Sequence, residues 1–400
     1  MRKKNWIIRL NVHNIFLLLL TISVVFGNRL PGITIPGIGF LFPIRIITIV
    51  YPLHLLRTNR ALDVDSFRKQ PRYVYSLLMV VLFLFIGSAP VLWTNSISEF
   101  LSGFLMYYTQ FMTLIIGLAE IRDKKDVDFV LKMMLLCSII IGSIGLYESF
   151  SGNSVFEVTY DYYLSTYNSI GLMRPRSIFY NTNNYAFYFS LVLCLLWSKY
   201  KNNRFASILL FVFCGLNVFL TGSRLSLLVL LVIIAIDFLF YSEGKKKLGY
   251  LVIACIVVIA VGEQIFGSEL FTNHIEIADE DRLPIWRATI AAIHKTFWMG
   301  GGFGSAVTLS GGSPHNLALE WILDCGIIPV IIFIIWLLWI TTGFIRDKYK
   351  FGVMFCIAFA LSTIGPSSLQ GYYFIWFGFA LMIKDSCFVT RKNTKFRKKL

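Results

Sequence analysis

Runs of about 20 apolar residues recur along almost the whole of this chain, separated by short segments rich in Lys and Arg that return after every second run. An α-helix of that length crosses the hydrocarbon core of a bilayer, because each residue advances it by about 1.5 Å and the core is about 30 Å thick. A backbone surrounded by lipid must satisfy its own hydrogen bonds, and continuous apolar runs of this kind can do so only as helices. The sequence therefore predicts an all-α, polytopic integral membrane protein with about twelve transmembrane helices. Composition agrees, with 56% hydrophobic and 15% charged residues where soluble domains average about 45–50% and about 25%.

The expected spans cover 7–26, 37–56, 73–93, 101–121, 130–150, 185–198, 205–220, 221–244, 248–267, 315–340, 351–365 and 371–386. The chain reads as a single membrane domain, 1–400. It has N-terminal spans in 1–150, a polar and aromatic outer loop over 151–184, and spans six to nine in 185–267. A large outer loop follows over 268–314, then spans ten to twelve in 315–386 and a basic cytoplasmic tail over 387–400.

A net charge of +15 invites a nucleic-acid reading, which its distribution excludes. Alternating sides from a cytoplasmic N-terminus puts every Lys/Arg cluster on one side, together with both termini, as the positive-inside rule requires. The exceptions are Arg29, Arg174, Arg176, Arg224, Arg282, Arg287 and Lys295 on the outer side, and Arg45 within the second run. The basic Met1-Arg-Lys-Lys flank is followed by no small-residue cleavage site, so the first run reads as a retained span. The seven cysteines form no C-x-x-C and no Cys/His cluster; they read as buried apolar residues, and no metal site is expected. The absence of an internal repeat weighs against a flippase or other transporter built from duplicated halves.

The outward-facing polar residues carry what chemistry the sequence offers. Ser313-Pro314-His315-Asn316 marks the junction of the large outer loop with span ten, since Pro cannot continue a helix from its N-terminal side. A neutral imidazole there can take a proton from a hydroxyl group. Arg174-Pro175-Arg176, with Asn183 and Asn184 shortly after, reads as a phosphate- and sugar-contacting loop or, equally, as an ordinary interfacial loop. Thr221-Gly222-Ser223-Arg224 puts a hydroxyl cap and a full positive charge at a helix N-terminus, which favours an anion site over a snorkelling arginine. Residues 285–298 show helical spacing of Trp286, Ile290, Ile293 and Phe297, predicting an amphipathic helix lying on the bilayer with Arg287, His294 and Lys295 as anchors. The Gly300–Gly304 stretch reads as a flexible hinge. Glu320 and Asp324, inside span ten, read as structural or as part of another polar contact, and Arg45 as a deep charge open to a functional role.

Taken together these residues resemble a family. His315-Asn316, nine residues and Gly326 fit the H-N-x9-G signature that opens a late span in O-antigen ligases and related Wzy-type bacterial polysaccharide polymerases. Thr221-Gly222-Ser223-Arg224 is similar to the family's T-G-S-R segment. Arg282-x3-Trp286 with Gly302-Phe303-Gly304 resembles its large outer loop, and Arg176 with Asn183-Asn184 its Arg/Asn segment. Pro329 stands where the family has Gly, Thr or Tyr, and Asp281 where it commonly has Gly.

The resemblance implies a GT-C-like, inverting, metal-independent glycosyltransferase with no cofactor, in the bacterial cytoplasmic (inner) membrane with its active site on the outer face. It implies a glycan donor on undecaprenyl pyrophosphate and, as acceptor, another glycan (polymerase for O-antigen, capsule or exopolysaccharide) or lipid A-core (ligase). Arg224 and Arg282, with Arg174 and Arg176, would hold the pyrophosphate; Asn183 and Asn316 would contact substrate. His315 would activate the acceptor hydroxyl.

Overall fold

The computed structural model describes residues 11–35, 39–58, 71–156, 168, 171–179, 181–241, 284–363 and 371–397. They form a helical bundle whose strands are confined to one short antiparallel pair, β1 (Ile33–Ile35) and β2 (Gly39–Leu41). In chain order the helices are α1 (Val12–Phe26), α2 (Pro43–Thr58), α3 (Pro71–Gly87), α4 (Ile97–Glu120), α5 (Lys124–Ser151), α6 (Thr182–Tyr200), α7 (Arg204–Leu220) and α8 (Arg224–Tyr241). Residues 284–295 form α9. Then come α10 (Ala306–Ser310), α11 (Leu317–Cys325), α12 (Ile327–Arg346), α13 (Lys350–Ser362) and α14 (Tyr373–Arg397). Every expected span carries helix except the ninth, 248–267, which lies outside the described residues.

By length and composition, four stretches are suited to crossing a membrane: Pro71–Leu92, Ile97–Glu120, Lys124–Ser151 and Ile327–Arg346. Val12–Phe26, Arg204–Leu220 and Lys350–Ser362 are apolar but shorter. The helices begin where polar residues between the apolar runs can cap them. Asn11, Ser96, Asp123, Asn181, Asn203 and Asn316 each accept backbone N–H bonds from the first turn of α1, α4, α5, α6, α7 and α11, satisfying donors that a helix start leaves open. α6 is buried from Asn184 to Ser198 and α14 from Tyr373 to Ser386, so these two are the centre of the bundle. α3 and α12 pack side by side at its edge and turn Leu78, Val81, Phe85, Ile331, Ile335 and Leu338 outward.

The expected single span over 315–340 is two helices. Gly326 breaks it with φ +85, and its left-handed backbone lets the Ile327 N–H bond to the Trp298 carbonyl at 2.9 Å. Pro329 falls in the first turn of α12, the one part of a helix that tolerates it. A Cβ on Gly326 would lie 2.7 Å from the Met299 carbonyl oxygen. Gly326→Ala is therefore expected to destabilise the protein by about 1–3 kcal/mol, read as a lowered Tm of the purified chain.

The Gly300–Gly304 stretch is packed rather than hinged. Phe303 is fully buried among the Phe100, Phe104 and Tyr107 rings. A Cβ on Gly103 of α4 would lie 2.4 Å from the Phe303 backbone. Asp324 pins the same region, accepting the Ala306 N–H at 2.7 Å and the Tyr107 hydroxyl at 2.9 Å, the structural role expected of it.

Two ends of the bundle differ in chemistry. At one, ion pairs join the starts and ends of many helices: His13 with Glu120 and Asp126, Arg72 with Asp347, Lys124 with Asp385, Lys199 with Asp128 and Lys350 with Asp237. These lie beside the Lys/Arg clusters. The opposite end gathers Arg29, the 174–178 loop, the α7–α8 turn, α9 and the start of α11, tied together by Arg29 to Ile178 and Leu317 to Thr363. Every described site residue expected from sequence lies at this second end.

Candidate functional site

The site end is built around the tight turn between α7 and α8. Thr221 Oγ1 donates to the Val218 carbonyl at 2.6 Å and accepts the Ser223 N–H at 3.1 Å, and Ser223 Oγ donates to Ser226 Oγ at 3.2 Å. Gly222, at φ +66, lets the chain reverse with no loop to spare. Arg224 opens α8 and is exposed, at the end where the helix dipole is positive.

Arg174 lies across this turn. A Cβ on Gly222 would stand 3.5 Å from Arg174 Nε, so the guanidinium rests against the glycine. Its Nε is buried and has no hydrogen-bond partner. Burial, and after it the charge of Arg224, push the Arg174 pKa below the ordinary arginine value. The Arg174 guanidinium is thus partly out of water and within reach of a second positive charge. Such a pair is stabilised by an anion that bonds to both. The sequence named both residues; only folding brings them together.

The 174–178 loop is held from below by Glu148, near the end of α5. Glu148 is fully buried; its Oε2 accepts the Arg176 N–H at 2.9 Å and the Ser177 N–H at 2.7 Å, and its Oε1 accepts the Val155 N–H at 3.1 Å. Ser177 adopts φ +50, the conformation that turns successive N–H groups toward one acceptor. Arg29 Nε donates to the Ile178 carbonyl at 2.7 Å and closes the loop from the other side. Glu148 was missed in the sequence, although an acidic residue inside an apolar run is a signal to look for a buried partner. Arg176 is half-buried at the loop rim. Asn183 is half-buried in the first turn of α6, its N–H bound to Asn181 Oδ1 at 2.7 Å. Asn184 donates to the Tyr372 hydroxyl at 2.5 Å.

His315 stands at the head of α11 on a strained backbone, φ +49, with Nδ1 buried. For a side chain other than Gly or Asn this conformation is disfavoured, and it persists only where surrounding structure fixes it. Here Trp286 Nε1 donates to the Pro314 carbonyl at 2.7 Å on one side. On the other, Asn316 Oδ1 accepts the Ala318 and Leu319 N–H groups at 3.1 and 3.2 Å, and the Leu317 N–H donates to the Thr363 carbonyl at 2.9 Å. Asn316, a residue for which the sequence resemblance implies substrate contact, thus caps the helix with its side-chain oxygen. Thr363 follows α13, which packs on both α6 and α8, so one helix links the His315 segment to the helices that carry Asn183 and Arg224. Arg282 lies outside the described residues.

α9 packs part of its expected apolar face against the protein. Thr289, Ala292 and Ile293 face inward, packed with Ala306 and Leu323, and Arg287, His294 and Lys295 are exposed. This packing covers part of the apolar face, leaves Ile290 exposed, and brings Trp286 to Pro314. Phe297, expected on that face, lies past the helix end and is exposed. Arg45 is buried, donates to the Phe40 carbonyl at 2.8 Å and sits over the Phe42 ring, a structural anchor for the start of α2.

Trp286→Phe keeps the ring but removes the N–H that holds Pro314. It is expected to destabilise the protein by about 0.5–1.5 kcal/mol, read as a lowered Tm of the purified chain.

Among the described residues no group of three or more His, Cys, Asp or Glu side chains is arranged to hold a metal ion. No curated protein matches the chain. One family model does, described as O-Antigen ligase, over residues 209–334, which includes the α7–α8 turn, α9 and the His315 segment. That match supports the assignment of this helical membrane protein, through residues 209–334, to the O-antigen ligase and polymerase superfamily.

Proposed function

We propose that the protein polymerises oligosaccharide repeat units carried on undecaprenyl pyrophosphate at the outer face of the cytoplasmic membrane. The observation that carries this reading is Arg174, which rests against Gly222 with a buried, unpartnered Nε and feels the charge of Arg224. A pyrophosphate ester is the anion that such a pair suits, because each fork can take two of its oxygens.

The chemistry is a single displacement. His315 takes the proton of an acceptor hydroxyl through its imidazole ring. The hydroxyl oxygen bonds to the anomeric carbon from the face opposite the pyrophosphate, and the bond from that carbon to the pyrophosphate oxygen breaks. The configuration inverts, and undecaprenyl pyrophosphate leaves with both electrons of the broken bond. Arg174, Arg224 and the rim residue Arg176, with Arg282 from the large loop, stabilise the leaving charge by fixed positive charge. Asn183 contacts sugar hydroxyls, and Asn316 holds His315 in place through its cap. The Lys/Arg clusters at the opposite end of the bundle support a cytoplasmic setting for that end, and the positive-inside rule extends the same reading to both termini.

A second reading, transfer of the glycan to lipid A-core, is favoured by the description of the matched family; it uses the same residues and differs in acceptor. The test is the purified full chain in liposomes, given a lipid-linked repeat unit in the presence of a chelator. A ladder of lengthening glycans is expected with the repeat unit alone. A single added glycan, appearing only when lipid A-core is supplied, would establish the ligase instead, and no transfer to either acceptor would refute both.

A further inference from the structure

The membrane-suited stretches Pro71–Leu92 and Ile327–Arg346 lie side by side, α3 against α12. At the site end, Trp93 follows the first directly and donates its Nε1 proton to the Gly300 carbonyl at 2.9 Å. The Trp298 carbonyl accepts the N–H of Ile327, the first residue of the second, at 2.9 Å. The turn Phe297-Trp298-Met299 is therefore level with the ends of two spans. All three residues are exposed; Phe297 is 82% exposed, as is Leu92 beside Trp93.

This exposure is enforced by the backbone. Phe297 has φ +51 and Trp298 φ +63, a left-handed conformation that bulky L side chains disfavour. It is held by the Trp298 N–H on the Ile293 carbonyl at 3.1 Å, by the bond to Ile327, and by the Met299 carbonyl packed on Gly326. The fold thus keeps large apolar side chains outward at a conformational cost, which calls for a partner outside the chain. Three features identify that partner. The turn continues the outward apolar wall of α3 and α12, it stands where that wall ends, and the exposed Lys295 flanks it. Aromatic rings at the end of a span, with a cation beside them, suit the headgroup layer of a bilayer.

We propose that Phe297-Trp298-Met299, with Leu92-Trp93, is a membrane wedge that enters the headgroup layer at the site end and fixes the level of α9 on the bilayer. The occupant is lipid, and the wedge adds to the exposed Ile290 of α9, the rest of whose apolar face packs on α10 and α11. Because α9 also carries Trp286, the wedge sets the depth at which His315 meets a lipid-borne substrate, a consequence that rests on the reading of His315 above.

The test replaces Phe297 by p-benzoylphenylalanine in the full chain in liposomes, with irradiation and mass analysis. Met299→p-benzoylphenylalanine is made in parallel, so that one poorly folded variant does not decide the result. Lipid adducts are expected at both positions and severalfold weaker at Ala288, on the exposed face of α9. Cross-linking to a second copy of the chain, or lipid adducts no stronger than at Ala288, would overturn the wedge. Neither result bears on glycosyl transfer, which is read from product formation.

Discussion

Replacing His315 by Asn is expected to lower glycan transfer by about 10²–10⁴-fold, the usual worth of a positioned general base, with the protein still folded. Asn is the informative substitution because position 315 has φ +49, a conformation that Asn tolerates better than Ala. The backbone of the segment would stay as it is, held by Trp286 on Pro314 and by the Asn316 cap, while the proton acceptor is lost. His315→Ala should fall as far in rate and also lose some stability. The check is the initial rate of chain extension by purified variants, beside their Tm. Full activity in His315→Asn would remove His315 from the chemistry.

The second large effect is expected at Arg224. Arg224→Lys keeps the charge but replaces a planar fork by a point charge, so paired bonds to a pyrophosphate are lost. A charge-assisted bond is worth about 1.5–3 kcal/mol, which corresponds to about 10–100-fold weaker donor binding. Arg174 makes the prediction sharper. Its guanidinium is already destabilised by burial and by the charge at position 224, and Lys does not relieve that repulsion. Donor titration of the purified variant checks this. Equal affinity in Arg224→Lys would reduce Arg224 to a lipid-facing anchor.

The helical membrane architecture was legible because it depends on local pattern: the length of the apolar runs, and Asn, Ser and Asp placed to cap the helices. The break at Gly326 was not legible, since its cause is the Met299 carbonyl and the Trp298 bond from a distant loop. α9 shows the same limit. Its spacing gave an amphipathic helix, but periodicity does not say how much of the apolar face meets protein, and Ala306 and Leu323 cover Ala292 and Ile293 while Ile290 stays exposed. Among site residues, Arg174, Arg224 and His315 announced themselves as polar groups on the side that the charge rule keeps poor in cations. Their arrangement did not: the Gly222 contact and the packing of α13 on α6 and α8 join segments remote in sequence. Asn316 shows the reverse case, a residue with a family pattern whose oxygen serves the helix start.

The division of labour between the arginines and the histidine is tested most directly by measuring donor affinity and turnover of His315→Asn on the same preparation. Undiminished affinity for the lipid-linked glycan with turnover lost is the predicted result. A loss of affinity as large as the loss of turnover would contradict the assignment of His315 to proton transfer and return it to the binding surface.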